Sequence, residues 1–498
     1  MTAKSQVFLA VDLGASSGRI VAGSLDGQQL QLEEVHRFAN GGVPAGGRLY
    51  WDVLGQWNEL LIGLRKAAEK YREQVVSIGV DTWGVDYALL GPGDELLGNP
   101  RTYRDARTQG ILERAFQVVS REDIFAATGL QFMEFNTLYQ LLATRSENPR
   151  LLDLAESFLM IPDFFNWLLS GEKANEYTNA STTQFCDPRT RDWSRSLLER
   201  FGIPTHMLGT VVQPGGRLGR LRSTVVEATG LKLVDVVLPG THDTASAVVG
   251  VPAESERNQR GWCYISSGTW SLMGAETAQP VINELCRRAN FTNEGGVGGT
   301  TRLLKNIAGL WLVQECQRIW SLQGQNYTWD ALSGQAAAAE PLVSLINPDH
   351  ADFVAPGDMP QAIRQACLAT GEPAPGSHGA MIRCILESLA MRYRMVLEWL
   401  EQLTGQTLET IHIVGGGARN ALLCQMAADA CQRRVLAGPI EATAIGNLLI
   451  QIVAHGDVGS VAEARQIVRH SFETVEYLPR ASQPWHDAYP RFRRLVGG

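Results

Sequence analysis

The sequence is poor in the residues that build metal cages and disulfide frameworks. Its 498 residues include eight cysteines and nine histidines. Cys186, Cys263, Cys286, Cys316, Cys367, Cys384, Cys424 and Cys431 form no CxxC, no Cys/His pair has zinc-like spacing, and no two histidines stand four apart. A disulfide-stapled small fold is excluded, and a zinc site built by the protein is not expected. Buried free thiols are expected instead, with Cys367 and Cys384 able to approach across a loop. No GxxxxGK[ST] is present, which excludes a P-loop enzyme. Gly415–Gly417 lacks the GxGxxG spacing, and Gly295-Gly296 with Gly298-Gly299 follows no clear strand, so a Rossmann site is disfavoured. No run of 18 uninterrupted apolar residues occurs. Met1–Gln6 leads into the short apolar run Val7–Val11, which Asp12 interrupts, so neither a signal peptide nor a span is expected and a cytoplasmic location is. Positive charge is also scarce: 44 Lys and Arg against 52 Asp and Glu leave a net charge of −8. No global basic field invites nucleic acid or membrane.

What is present is an ordinary globular composition, with 45% hydrophobic and 19% charged residues. At about 150 residues per domain, two large domains fit. Val7–Asp12, Arg19–Leu25 and Leu30–Phe38 read as strands. A helix follows over Val53–Tyr71, with a stripe at Leu54, Trp57, Leu61 and Leu64, then a strand over Val75–Thr82. Three strands, a helix and a strand point to a mixed α/β sheet with a crossover. Ile111 to Leu198 reads mainly as helices, and a short strand near Val236–Leu238 precedes a small-residue helix over Ala245–Val249. Beyond the polar stretch 254–260 the opening pattern returns: Trp262–Ser266, a Ser267-Gly268 turn, Thr269–Gly274. Helices are expected over Leu310–Trp320, Ala380–Leu403 and Asn420–Cys431, with strands at Thr410–Val414 and Val435–Ala437 and a further helix from Glu441. The expected division is 1–250 and 251–498.

Asp12-Leu-Gly-Ala-Ser-Ser-Gly-Arg19 sets a carboxylate at a strand end before a turn of small hydroxyl residues. Backbone N–H groups and hydroxyls of such a turn can face phosphate oxygens, and the Asp can hold a hydrated Mg²⁺. An ordinary hairpin with an Asx-type turn is the plainer reading. A second Ser-Ser-Gly-Thr turn at Ser266–Thr269 favours the functional one, because two such hairpins can grip a polyphosphate. Asp243 stands where a strand meets a helix, either as a simple N-cap or as a carboxylate able to accept a proton from a hydroxyl during phosphoryl transfer. Gly415–Gly417 permits close approach of a flat ring, or is only a strand-to-helix turn. Trp83-Gly84 and Tyr103–Arg107 offer aromatic and polar groups suited to a polyol. Core packing and an ion-pair network through Arg101, Arg104 and Arg107 are their plainer readings.

In this order, DLGASSGR, PGTHDTASA, SSGTW, GGGARN and EATAIGN resemble the FGGY family of carbohydrate kinases over about residues 7–480. HRFANG, DTWGVDYALL, YRDART, FNTLYQL, EYTNASTTQ, TNEGG and LKNIAGLWLVQE extend the match. Met160–Trp167 lacks the family's usual lysine, and Met381–Ala390 also departs from the general signature.

The resemblance implies a two-domain actin-like, ribonuclease H-like α/β fold with the active site in the interdomain cleft. The first domain would carry the sugar site, the first phosphate loop and the catalytic Asp; the second would carry the other phosphate loop and the adenosine site. It implies phosphorylation of L-rhamnulose at its C1 hydroxyl by ATP with Mg²⁺, with L-fuculose or xylulose as alternative sugars. A non-catalytic sensing or filament-forming member would need a broken phosphate site, whereas Asp12, Asp243 and Thr269 are all present. Carried over residue by residue, Asp243 is the proton acceptor, and Gly84, His242, Thr244 and Asn306 join it at the sugar. Ala15, Ser16, Ser17, Gly18, Arg19, Thr269, Gln314 and Gly416 take ATP, and Asp12 orients Mg²⁺ through water. Small-molecule substrates are the expected partners, in a monomer or weak homo-oligomer.

Overall fold

A strand such as Val7–Leu13, apolar at nearly every position, can be stable only if both faces of its sheet are covered. That requirement shapes the first half of the computed structural model, which describes residues 6–254, 261–354 and 357–497. Met1–Ser5 and most of the polar stretch 254–260 lie outside the described residues. Contacts divide the chain into two units: Met1–Pro252 with Glu276–Leu303 and Ala442–Phe472, and Ala253–Ala275 with Leu304–Glu441 and Glu473–Gly498.

In the first unit six strands lie in the order Arg217–Arg220, Asp235–Val237, Val75–Thr82, Val7–Leu13, Ser17–Asp26, Gln29–Ala39. Val7–Leu13 pairs antiparallel with Ser17–Asp26, with Asp12 opposite Arg19. It pairs parallel with Val75–Thr82, with Asp12 beside Asp81. Leu9, Val11 and Leu13 point into one core with Leu60, Leu64, Ile78 and Val80. Phe8, Ala10 and Val21 point into the other, with Ile445, Leu448, Leu449 and Ile452. Each buried Leu or Ile contributes about 1.5–3 kcal/mol.

Helix Val53–Tyr71 starts where the Asp52 carboxylate accepts from Gly55 N at 3.0 Å. Its buried line is Val53, Gln56, Leu60, Gly63, Leu64 and Ala67, whereas Leu54 is 58% exposed. Of the expected stripe, Leu64 is buried and Trp57 and Leu61 pack against the same core, and only Leu54 turns outward. Gly63 fixes the facing line, because a Cβ there would lie 2.4 Å from Ile20 Cδ1.

Helices Asp243–Val249 and Ala442–His455 cross at glycines. A Cβ on Gly446 would stand 1.8 Å from Ser246 O, and one on Gly250 would stand 2.4 Å from Ala442 O. This backbone-to-backbone approach seats the short helix that begins with Asp243.

The second unit repeats the opening motif. Gly261–Ser267 forms a hairpin with Trp270–Thr277 and pairs parallel with Leu408–Val414, Ser266 lying beside Val414. Arg434–Ala437 and Val475–Tyr477 follow outward. Helix His378–Thr404 is capped by Ser377, whose hydroxyl accepts from Ala380 N, and ends at Gly405 in the left-handed region. All eight cysteines are buried and free of disulfides. Cys367 and Cys384 influence one another, the pKa of the Cys367 thiol lowered and that of the Cys384 thiol raised by their proximity. Among the described residues no helix is long and apolar enough to cross a membrane.

Candidate functional site

Three neighbouring chain ends bring carboxylates together at one edge of the first unit's sheet. Asp12 and Asp81 are register partners near the ends of adjacent strands, and Thr82 bridges to His242, next to Asp243. The carboxyl ends of strands are where open α/β sheets place ligand chemistry. Asp12 is nearly buried, and its Oδ2 accepts from Arg19 Nε at 2.9 Å and Nη2 at 2.7 Å. Arg19 therefore stands across the hairpin as the counter-ion of Asp12. Asp81 is wholly buried; Asn447 Nδ2 donates to its Oδ2 at 2.6 Å, while its Oδ1 has no partner. Burial and the charge of Asp12 push the Asp81 carboxyl well above the usual range, against the Asn447 hydrogen bond.

Asp243 is the first residue of its helix rather than its cap, a position taken by His242. Its side chain remains about one third exposed (32%), and Thr244 Oγ1 donates to its Oδ1 at 3.0 Å. Burial of the remainder, then Asp12's like charge, raise its pKa, while His242 and Thr244 oppose them. Gly84 lies against this group: a Cβ there would come within 3.3 Å of His242 Nε2. Val85, a β-branched residue at φ 69°, follows, and Asp86 N donates back to Gly84 O at 2.9 Å, closing a strained γ-turn.

Asp12, Arg19, Gly84, His242, Asp243 and Thr244 are thus gathered within the first unit. The Ala15–Gly18 turn adjoins them: Gly14 N donates to Ser17 O at 2.9 Å, and Ser16 is exposed. Gly18 is buried because Phe38 packs on it, with ring atoms 2.3 Å from where a Cβ would sit. Trp83 and Arg101 follow their plainer readings. Trp83 packs against Trp51 with ring centroids 4.0 Å apart and planes tilted by 34°, and Arg101 Nη1 pairs with Glu147 Oε2 at 2.6 Å.

In the second unit, Gly268 and Thr269 meet the start of helix Trp311–Leu322. Leu310 N donates to Gly268 O at 3.0 Å and Trp311 N to Thr269 O at 3.1 Å, which sets Gln314 one turn beyond. Gly415 and Gly417 press on Ser267: a Cβ on Gly417 would meet its Oγ at 2.0 Å. Between them Gly416 is exposed, with nothing within 4 Å of a built Cβ. Asn306 lies on Thr301–Ala308.

Several buried groups escaped the sequence reading. Asp86 accepts from Trp51 Nε1 (2.6 Å), Trp83 Nε1 (3.0 Å), Gln140 Nε2 (2.8 Å) and Tyr103 N (3.1 Å), yet burial still raises its pKa to about 6. Glu176 accepts from the backbone and hydroxyl of both Thr178 and Thr241, pinning the segment that leads into His242. Glu294 and Arg302 stand behind His242. Asp81 and Asp86 stand in DTWGVDY, where each acidic residue lies within three positions of Trp83. Nothing in the sequence pairs Glu294 with His242.

The family models for the N-terminal and C-terminal domains of the FGGY family of carbohydrate kinases match residues 7–250 and 263–455. The chain belongs to that family. It is a sugar kinase, a phosphotransferase that takes ATP, with a divalent metal, and a sugar. A rhamnulokinase of Bacteroides thetaiotaomicron is 44% identical over 99% of this chain and 99% of its own length. One from Bacillus subtilis is 39% identical over 95% of this chain and 96% of its own. A xylulose kinase structure from Lactobacillus acidophilus aligns with a TM-score of 0.81 at 16% identity, covering 99% of each chain. The Plasmodium falciparum glycerol kinase with ADP aligns at 0.77 and 15%, covering 99% of this chain and 98% of that one. The two-domain sugar-kinase fold is thereby shared.

Proposed function

We propose that the chain transfers the γ-phosphoryl group of ATP to the C1 hydroxyl of L-rhamnulose, giving L-rhamnulose 1-phosphate and ADP in L-rhamnose catabolism. The observation that carries this reading is similarity of 39–44% over nearly the whole chain to proteins described as rhamnulokinases. L-Fuculose and xylulose would use the same phosphate machinery but have no such support.

In this reading Asp243 accepts the C1 hydroxyl proton as the phosphoryl group arrives. Its raised pKa makes it a stronger base than an ordinary surface carboxylate, which favours proton acceptance near neutrality. Gly84, His242, Thr244 and Asn306 hold the sugar; Ala15–Arg19, Thr269, Gln314 and Gly416 hold ATP. The metal is Mg²⁺, oriented by Asp12 through water. Among the described residues no three His, Cys, Asp or Glu side chains form a cage. One carboxylate, water and phosphate oxygens are the usual Mg²⁺ donor set, and Asp12, near the end of its strand, supplies the carboxylate. When bound, the ion neutralises charge on the phosphate oxygens. A cytoplasmic monomer or weak homo-oligomer completes the proposal.

Incubation with Mg·ATP and L-rhamnulose, followed by ³¹P NMR, tests it. A primary phosphate monoester coupled to the C1 protons is the expected product; phosphate at another carbon, or none, would overturn the assignment.

A further inference from the structure

His242 has two ring nitrogens with different surroundings, all within the first unit. Nε2 faces Asp243 Oδ1 at 3.5 Å and the bare backbone of Gly84. Nδ1 receives a well-formed hydrogen bond from Arg302 Nη2 at 3.0 Å. Glu294 Oε2 stands 3.3 Å from Nδ1 and 3.1 Å from Arg302 Nη2, within ion-pair range of both but aligned for a hydrogen bond with neither. Arg302 Nε in turn donates to Gly295 O at 2.7 Å, so the guanidinium is gripped from a second side.

A guanidinium has only donors and does not lose its proton. Nδ1 lies between this donor and the Glu294 carboxylate, which could only accept; because the aligned contact is the one with Arg302, Nδ1 offers a lone pair, which leaves the proton of a neutral imidazole on Nε2. A doubly protonated ring would set an N–H against the guanidinium. Arg302 is fully buried and Glu294 nearly so, and Arg302 Nη1 and Glu294 Oε2 are left without hydrogen-bond partners. Burying a charge pair so incompletely satisfied is a poor route to stability, because desolvation offsets most of the attraction. The arrangement is better explained by what it does to His242. Although burial works against it, the Arg302 charge holds the Glu294 carboxyl below its usual range, so Glu294 stays ionised and neutralises Arg302.

We propose that Arg302, with Glu294 as its counter-ion, is a positioning residue for phosphoryl transfer: it fixes the Nε2–H tautomer of His242 and aims that N–H at Asp243 and the sugar hydroxyl. The slack 3.5 Å separation lets an arriving hydroxyl oxygen accept the N–H while donating its own proton to Asp243. The wrong tautomer would present a lone pair to the same oxygen and compete with Asp243 for its proton. This inference rests on Asp243 being the base.

The test is ¹⁵N NMR of the histidine-labelled full chain, with His242→Gln to assign the signals, together with kinetics of Arg302→Lys and Glu294→Gln. In the wild type, His242 should show an unprotonated Nδ1 and a protonated Nε2. Arg302→Lys should disturb that tautomer and lower kcat about tenfold or more, as when an imidazole loses its orienting partner, with the KM for ATP and the melting temperature little changed. Glu294→Gln should act in the same direction, less strongly. A proton on Nδ1 in the wild type would overturn the proposal, as would wild-type kcat in both variants. The tautomer is read without substrate, so failure to phosphorylate L-rhamnulose would sink the functional reading while the NMR still decides the role of Arg302.

Discussion

The two hairpins that open the two units share a fold but not a chemistry. Asp12–Arg19 turns beside Asp81 and Asp243, with Arg19 as the local counter-ion. Ser266–Thr269 turns beside uncharged groups: Ser267, the glycines 415–417 and the start of helix Trp311–Leu322. In each hairpin the first strand also pairs with a parallel strand that arrives after a long connection. The same local solution for presenting backbone and hydroxyls is therefore used twice, once with buried carboxylates and once without. The charged version suits proton and metal chemistry, and the neutral version suits contact with a nucleotide through backbone.

The strongest way to break this comparison is Asp243→Asn. It should lower kcat by about 10²–10⁴-fold, the usual worth of a positioned base, while KM for ATP and sugar change only a few-fold. Steady-state kinetics with a binding titration check it, and near-normal kcat would remove Asp243 from that role.

Next come the glycines of the neutral hairpin. Gly417→Ala drives a methyl into Ser267 and should cost about 1–3 kcal/mol in denaturant unfolding, an overpacking penalty, partly rescued by Ser267→Gly. Gly416→Ala, one position away and facing open space, should leave stability unchanged and raise the KM for ATP. Equal effects of the two on stability would refute the packing account.

Asp12→Asn should raise the Mg²⁺ concentration needed for half-maximal rate by about tenfold, whereas Thr269→Ala should shift ATP affinity without changing the Mg²⁺ requirement. Titrations of rate against Mg²⁺ at saturating ATP separate the two.

The effect at Asp86 is confined to acid pH. Its folded pKa of about 6 lies above the usual carboxylate value of 3.8, so the folded state holds the proton more tightly. Its contribution to stability is full below about pH 4 and is lost as pH rises to about 6, with a slope of at most about 1.4 kcal/mol per pH unit. Relative to Asp86→Asn, the wild type should lose stability over that window in urea unfolding and run parallel above it. A flat difference would show that Asp86 is already ionised at low pH.

Much of the charged hairpin was legible because local chemistry writes it: an apolar run interrupted by Asp12, a small-residue turn, and a helix from Val53 to Tyr71 found at both ends. The stripe of that helix was legible at Trp57, Leu61 and Leu64 but not at its start, since Leu54 is as apolar as Leu60 and the packing of Gly63 on Ile20 turns Leu60 inward and Leu54 outward. Nor does the sequence signal that 276–303 and 442–472 return to the first unit, because such returns are made by contacts between distant segments. The Glu294–Arg302 support of His242 and the Asn447 bond to Asp81 were hidden for the same reason: their partners lie 52–366 positions apart (Glu294 to His242, 294 − 242; Asn447 to Asp81, 447 − 81).

The central claim is tested most directly by a coupled ADP-release assay with Mg·ATP across L-rhamnulose, L-fuculose, D-xylulose, D-fructose and glycerol. The account predicts that kcat/KM for L-rhamnulose exceeds every other sugar by at least about tenfold, a difference of about 1.4 kcal/mol in transition-state binding. A higher value for any other sugar, or no ADP release despite ATP binding, would contradict it.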